Sequence, residues 1–183
     1  FGTVAPGAHL AVAIEVRDGR DDLIASRRDG RKVIVFDGAQ FLATPTPSVK
    51  LLELTLAKGR AVQVAAGDIN GDGRADIIMS GGLGQKAQIS IYSTQSNSLL
   101  GPITVLGGVK GGIVDVATSD VDSDGIAEII VASGPRFRGD VHFFDGESVT
   151  PLGDLTFQPF PDRPKAAVFV SGSTPRLGML NRP

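Results

Sequence analysis

The feature that most constrains this chain is a nine-residue pattern of oxygen-bearing side chains that occurs twice. The copies occupy residues 68–76, with sequence DINGDGRAD, and residues 120–128, with sequence DVDSDGIAE. Each has oxygen-bearing side chains at positions one, three, five and nine and a glycine at position six. Alternate residues of a tight loop point inward, glycine permits the sharp turn, and a hard cation such as Ca²⁺ takes roughly six to eight oxygen ligands. The pattern therefore predicts two cation-binding loops.

The spacing selects eight side chains as candidate metal ligands. The two copies start 52 residues apart (120 − 68 = 52), and two matches in register argue against a chance occurrence. We therefore expect two Ca²⁺ ions per chain. The candidate side-chain ligands are Asp68, Asn70, Asp72, Asp76, Asp120, Asp122, Asp124 and Glu128.

A third, degenerate copy precedes these two. Asp22 stands before an apolar run as Asp76 and Glu128 do, at offsets of 76 − 22 = 54 and 128 − 76 = 52 residues. Projection back from Asp22 puts Ile14 and Val16 at loop positions one and three. Aliphatic side chains offer no oxygen ligand, so the first copy is predicted to bind no calcium.

Each unit also has the pattern of four short strands. An alternating segment precedes the loop, an apolar run follows it, a third segment ends in an aromatic residue, and a fourth comes after a turn. No stretch shows a capped helical periodicity, so helix is expected to be nearly absent. The predicted fourth strands are residues 51–56, 103–106 and 155–160.

Tandem units of about 53 residues with four strands each indicate the blades of a β-propeller, which bury their faces against neighbouring blades. The competing all-β fold, a sandwich of about twelve strands, would not require a repeat in register. We predict one all-β propeller segment of about three four-stranded blades. Its units are residues 1–57, with a preceding strand at 1–4, then 58–110, 111–165 and, as the start of a fourth blade, 166–183. In that last unit Ser173 takes the first loop position, and the acids are missing.

Composition and charge exclude several kinds of function. The 183 residues are 42% hydrophobic and 21% charged, a globular balance, and no apolar run of about 18 residues predicts membrane insertion. Cysteine is absent, which excludes disulfides and thiolate metal sites. The formal charge is −2, and two Ca²⁺ ions would change it to +2, so no phosphate-binding field is evident. Nucleic acid is therefore not expected as a partner.

Residues 64–78, VAAGDINGDGRADII, resemble the core of an FG-GAP (VCBS-type) repeat, and the second loop with its flanks does so too. Residues 35–38 and 143–146 are similar to the blade-closing strand of bacterial cell-surface members. The resemblance implies a calcium-stabilised propeller of roughly six to eight blades, as in integrin α-subunit heads and secreted bacterial proteins. It also implies that the backbone carbonyls of Arg74 and Ile126, at loop position seven, are ligands. An extracellular or cell-surface location follows from the same resemblance.

Two alternatives to this kind of calcium loop were weighed. An EF-hand loop has about twelve residues and ends in a bidentate glutamate between two helices. The twelfth position here is Met79 or Val131, each inside an apolar, β-branched run. The other alternative is a pair of Asx-rich turns without metal, in which the converging carboxylates would repel one another.

Enzymatic motifs have little support, and we predict no catalytic residues. His9 and His142 lie in alternating strands without a nucleophile or paired acid at motif spacing. Residues 82–87 fit a loose dinucleotide-binding pattern, but a strand follows where a helix is needed. The chain is therefore interpreted as a non-enzymatic module.

Two hypotheses for function remain. The first is protein recognition or adhesion. The alternative is carbohydrate binding, including service as an accessory propeller of a secreted polysaccharide-degrading enzyme. The chain has no Trp and one Tyr, which favours the first hypothesis, since sugar sites commonly use an exposed aromatic ring. Turns of the first and third units are either merely solvated or contact a protein or an acidic glycan. Their basic and aromatic residues are Arg27, Arg28, Arg31, Arg136, Phe137 and Arg138.

The two ends of a three-blade segment are expected to need a cover, because blades bury their faces on one another. Remaining blades of the same parent chain or a second copy of this chain could supply it, and the first solution is preferred.

Overall fold

The described residues form three antiparallel β-sheets that follow one another along the chain. We name these sheets blade one, blade two and blade three. The computed structural model describes residues 8–14, 21–27, 30–43, 49–56, 62–81, 86–108, 114–134, 138–163 and 167–172.

The strands pair with their neighbours in chain order within each blade. Blade one contains β1 (Ala8–Ile14), β2 (Asp21–Arg27), β3 (Lys32–Phe36) and β4 (Lys50–Thr55). Blade two contains β5 (Val64–Gly67), β6 (Asp76–Ser80), β7 (Gln88–Ser93) and β8 (Ser98–Thr104). Blade three contains β9 (Val114–Ser119), β10 (Glu128–Ser133) and β11 (Val141–Phe144).

The second strand of blades two and three is buried over its whole length. All residues of β6 and all of β10 are buried, which explains their continuous apolar runs. Successive side chains of a strand point to opposite faces, and here each face meets a different neighbour. Ile77 and Met79 lie in the core shared with blade one, and Ile78 lies in the core shared with blade three.

Apolar packing between successive blades makes two cores. The core between blades one and two contains Ile24, Val33, Val35, Leu56, Val62, Val64, Ala75, Ile77, Met79 and Tyr92. The core between blades two and three contains Ala65, Ile69, Ile78, Ala87, Ile89, Ile91, Val105, Val114, Val116, Ala127, Ile129, Val131 and Phe144. Sheets stacked face to face in series are the arrangement of a β-propeller segment, as predicted.

The predicted fourth strand of blade three, residues 155–160, is wrong. A 3₁₀ turn at Gly153–Leu155 leads to one isolated bridge, in which Phe157 and Val141 exchange N–H···O bonds of 2.9 and 3.1 Å. The ring of Phe157 stacks on Phe143 with the ring centroids 6.3 Å apart. Pro159 and Pro161 lack the N–H groups that a longer ladder would need, so residues 155–160 pair through this bridge, and a second isolated bridge joins Phe144 to Pro151.

Two smaller differences concern the other blades. β8 begins at Ser98, earlier than the predicted residue 103, and Leu106 lies in a 3₁₀ turn instead of the strand. A six-residue helix, α1 (Gly38–Ala43), follows β3. The carboxylate of Asp37 accepts the N–H of Ala39 at 2.9 Å, so a local cap starts this helix where the sequence showed only a turn.

Residues 167–172 pack on the far face of blade three. Val168 and Val170 contact a cluster formed by Ala117, Ile130, Ala132, Val141 and Phe143. The N–H of Val170 donates to the Asp115 carboxylate at 2.9 Å. Phe169, between them, is 77% exposed on the other side. Ser173 and the strand predicted at residues 1–4 lie outside the described residues, and the unit boundaries stay predictions.

Among the helices in the described parts of the chain, none has the length and apolar character needed to cross a membrane.

We predict that packing between blades two and three governs stability. Val131 is fully buried in that core, and Val131→Ala should lower the free energy of unfolding by on the order of 2 kcal/mol, because it removes buried methyl groups and leaves a cavity. Urea denaturation measures the difference. Val121→Ala is the matched control, since Val121 is 44% exposed and the change should stay within about 0.5 kcal/mol. Equal effects of the two substitutions would contradict the prediction.

Candidate metal centres

Both predicted cation loops connect the first strand of a blade to its second strand. Residues 68–76 run from the end of β5 to the start of β6, and residues 120–128 run from β9 to β10. Position six is Gly73 in one loop and Gly125 in the other, with φ of 82° and 92°. This left-handed conformation is the one that glycine adopts without strain, so the glycine of the pattern sets the turn.

Backbone N–H groups hold the carboxylates of the blade-two loop in place. Asp68 accepts the N–H of Gly73 at 2.8 Å and that of Asp72 at 3.1 Å. Asp72 in turn accepts the N–H of Arg74 at 2.9 Å. The amide of Asn70 donates from Nδ2 to Asp76 at 2.9 Å, which ties position three to position nine.

The blade-three loop repeats these contacts. Asp120 accepts the N–H of Gly125 at 3.1 Å, and Asp124 accepts the N–H of Ile126 at 2.8 Å. Glu128 accepts the N–H of Val121 at 2.7 Å. In both loops, the backbone N–H groups of positions six and seven therefore bind the carboxylates of positions one and five, which follows from the shared spacing.

The blade-three loop brings three of its predicted ligands together. One oxygen from each of Asp120, Asp122 and Asp124 lies within 4.8 Å of the others. Among the residues that the structure describes, this is where three acidic groups converge in a manner suited to a metal ion. In the blade-two loop an amide, that of Asn70, takes the place of one carboxylate.

Two carboxylate oxygens in the loops are buried without a hydrogen-bond partner in the described structure, Oδ2 of Asp72 and Oδ1 of Asp120. A buried carboxylate oxygen without a partner is costly, and a bound cation would satisfy it. Each loop thus offers only oxygen atoms as ligands. The oxygen without a hydrogen-bond partner is at position five in the blade-two loop and at position one in the blade-three loop. These residues fit a hard divalent cation. That Arg74 and Ile126 ligate through their carbonyls stays a prediction.

Burial of the carboxylates at position nine perturbs their protonation. Burial raises the pKa of Asp76 from 3.8 to about 6, the N–H of Thr94 opposes the rise, and the nearby carboxylates of the loop add to it. Burial likewise raises the pKa of Glu128, against the N–H of Val121. Both groups are therefore costly to ionise until a positive charge is near them.

The sequence reasoning missed a contact that supports position nine. The second residue after the aromatic residue of the third strand donates its N–H to the position-nine carboxylate, from Gly38 to Asp22 at 3.0 Å and from Thr94 to Asp76 at 3.3 Å. Any side chain at Gly38 would overlap the carbonyl of Asp21, at position eight. The Asp-Gly pairs after the third strands were the sequence signal for this contact.

The structure describes only some of the other predicted functional residues. His142 is half-buried, its Nδ1 lies 3.4 Å from the hydroxyl of Thr156, and burial lowers its pKa. The carbonyl of Arg138 accepts a bond from Gln158. Several other predicted residues lie outside the described residues or have side chains outside them. These are His9, Val16, Arg28, residues 82–85, Arg136 and Phe137.

We predict that Asp76 makes the calcium-free protein less stable as pH rises. Its folded-state pKa, about 6, lies above the ordinary 3.8, so the folded state binds this proton more tightly than the unfolded state does. The resulting stabilisation is present below about pH 4 and is lost as pH rises through about 6. In EDTA, Asp76→Asn should match the wild type near pH 4 and exceed its stability by on the order of 2 kcal/mol at pH 7.

Urea denaturation across this pH range provides the measurement. The control is Asp162→Asn, which removes an exposed carboxylate outside the loops and should leave the pH dependence of the wild type unchanged. If Asp76→Asn is the less stable protein at pH 7 in EDTA, the argument from burial is wrong.

Comparison with known families gives a match in the region that contains the blade-two loop. A family model described as FG-GAP-like repeat matches residues 17–79, about a third of the chain. The match includes β2 to β5, the blade-two loop and most of β6. No curated protein matches the chain significantly. The chain therefore contains an FG-GAP-like repeat within a β-propeller-like module.

Proposed function

We propose that the chain is a calcium-binding, non-enzymatic propeller module of a secreted or cell-surface protein, which serves protein recognition or adhesion. The observation that carries this proposal is the convergence of Asp120, Asp122 and Asp124 within 4.8 Å. Oxygen-only donor sets suit hard cations, and a flexible loop with many oxygens suits Ca²⁺ better than Mg²⁺, which demands a tighter octahedral site.

The burial of acidic groups beside each loop supports the calcium assignment. Asp76 is 1% exposed and Glu128 is 3% exposed, and both have raised pKa values. A divalent cation in the loop would favour the ionised form of each group and offset its burial. The two loops carry three and four carboxylates, and with Arg74 counted their formal charges are −2 and −4, so each can balance one Ca²⁺.

An extracellular location agrees with the chemistry of the loops and of the whole chain. Asp122 and Asp124 are exposed, and calcium sites of this open kind in extracellular modules bind with dissociation constants of roughly 10⁻⁴ to 10⁻³ M. The chain has no cysteine, so bound calcium rather than disulfides would stiffen it outside the cell.

Exposed apolar side chains support recognition of a protein. Leu99 and Leu100 on the outer strand of blade two are 55% and 57% exposed, and Phe157 and Phe160 of blade three are 51% and 52% exposed. Such groups mark protein contacts when they are clustered. The single tyrosine, Tyr92, is 8% exposed, so it is not available to stack on a sugar ring.

We also propose that another blade packs against the exposed side of residues 167–170. Phe169 is 77% exposed there, whereas Val168 and Val170 are packed on blade three. Another blade, from the same parent chain or from a second copy, would bury Phe169 as blades two and three bury each other.

We predict two calcium sites per chain. Calorimetric titration of the EDTA-treated protein should show two Ca²⁺ ions, and Asp72→Ala and Asp124→Ala should each remove one. Each ion should stabilise the folded state by about 2.7 kcal/mol at a hundredfold excess over its dissociation constant. In calcium at pH 7, Asp76→Asn should become less stable than the wild type, which reverses their order in EDTA.

The control for this titration is Asp162→Asn, which should keep both sites because its carboxylate is exposed and lies outside the loops. One site in the wild type, or a site that survives in the Asp72→Ala, Asp124→Ala double variant, would contradict the assignment.

A further inference from the structure

The two cation loops contact each other across the boundary between blades two and three. The backbone N–H of Ala127 donates to the carbonyl of Asp68 at 2.8 Å. Asp68 holds position one of the blade-two loop, and Ala127 holds position eight of the blade-three loop. A single hydrogen bond therefore joins a predicted ligand residue of one loop to the neighbour of Glu128 in the other.

Apolar packing surrounds this hydrogen bond. Ile69 and Ala127, 4% and 2% exposed, belong to the same buried cluster. The side chain of Ile126 lies beside Gly71, where a Cβ would come within 3.5 Å of Ile126 Cγ1. The two loops thus share an interior as well as a hydrogen bond.

Gly146, two residues after the end of β11, lies against both loops at once. A Cβ at this position would overlap the carbonyl oxygen of Ala127 and would lie 2.7 Å from that of Ile69. The φ of Gly146 is not in the left-handed region, so close contact rather than backbone conformation requires glycine here. We use the name loop junction for Asp68, Ile69, Gly71, Ile126, Ala127 and Gly146.

We propose that the loop junction couples the two calcium sites, so that Ca²⁺ bound in one loop raises the affinity of the other. This inference rests on the proposed calcium function. Binding orders a loop, and the junction contains Asp68, a ligand residue of one loop, and Ile126, the position-seven residue of the other. Ordering one loop therefore restricts part of the second loop, and the second ion binds with a smaller loss of conformational entropy.

Charge acts against this coupling. The first ion weakens the negative potential that attracts the second, and after each has bound one ion the loops have formal charges of 0 and −2 with Arg74 counted (2 − 3 + 1 and 2 − 4). Salt screens the interaction between exposed charges but leaves the hydrogen bond and apolar contacts of the junction nearly unchanged. Coupling through the junction should therefore be clearest at high salt.

The experiment is calcium titration by calorimetry in about 0.5 M NaCl, where surface charges are screened. The product of the two association constants of the wild type is divided by the product of the single-site constants of Asp72→Ala and Asp124→Ala. This ratio is the coupling factor, and we expect it to be about five or more.

Two variants test whether the junction carries the coupling. Ile69→Ala keeps every predicted ligand but removes buried apolar packing at the junction, and Gly146→Ala forces a Cβ between the two loops. Both should bind two ions with a coupling factor near one, with folding checked by circular dichroism. Leu155→Ala, a similar truncation at a 44% exposed position of blade three, is the control and should keep the factor of the wild type.

A wild-type coupling factor of one or less overturns the inference and leaves the proposed calcium function standing. A factor that persists in both Ile69→Ala and Gly146→Ala overturns the assignment of coupling to the junction. Absence of calcium binding in the wild type overturns the proposed function and, with it, this inference.

Discussion

Apolar contact between successive blades is the interaction on which the rest of this structure depends. The strands β6 and β10 are buried on both faces, and alternate side chains of each strand enter different cores. A single blade on its own would expose both faces to water, so the blades stabilise one another in series. The same stacking brings loops that are 52 residues apart in the sequence into direct contact at one rim.

The loops concentrate negative charge at that rim, and the backbone limits the cost. N–H groups of the loop itself hold both oxygens of Asp68 and one of Asp120, as the bonds from Asp72, Gly73 and Gly125 show. Other oxygens are left buried without a partner, and burial raises the pKa of the carboxylate at position nine. The metal-free loops thus hold several carboxylates close together at the expense of stability, a common condition of binding sites.

The residue that packs against the position-eight carbonyl, next to position nine, differs in type between the blades. In blades one and three a glycine, Gly38 or Gly146, lies against the position-eight carbonyl, where a side chain would overlap it. In blade two Thr94 takes this place and donates its hydroxyl to the carbonyl of Ala75 at 2.9 Å. The contact is therefore kept while its chemistry changes from close backbone approach to a side-chain hydrogen bond.

The sequence by itself determined the loops and most of the strands, because these depend on local spacing. Alternating residues define β9, and the glycine at position six sets a turn whose hydrogen bonds span at most nine residues. Tertiary structure alone decided that Phe157 pairs with Val141 and stacks on Phe143, although Pro159 and Pro161 in the sequence already oppose a long outer strand. It also decided the contacts of Gly146 and the bond from Ala127 to Asp68. Each of these joins residues distant in the sequence, and their separation is set by how the blades stack, which no local pattern specifies.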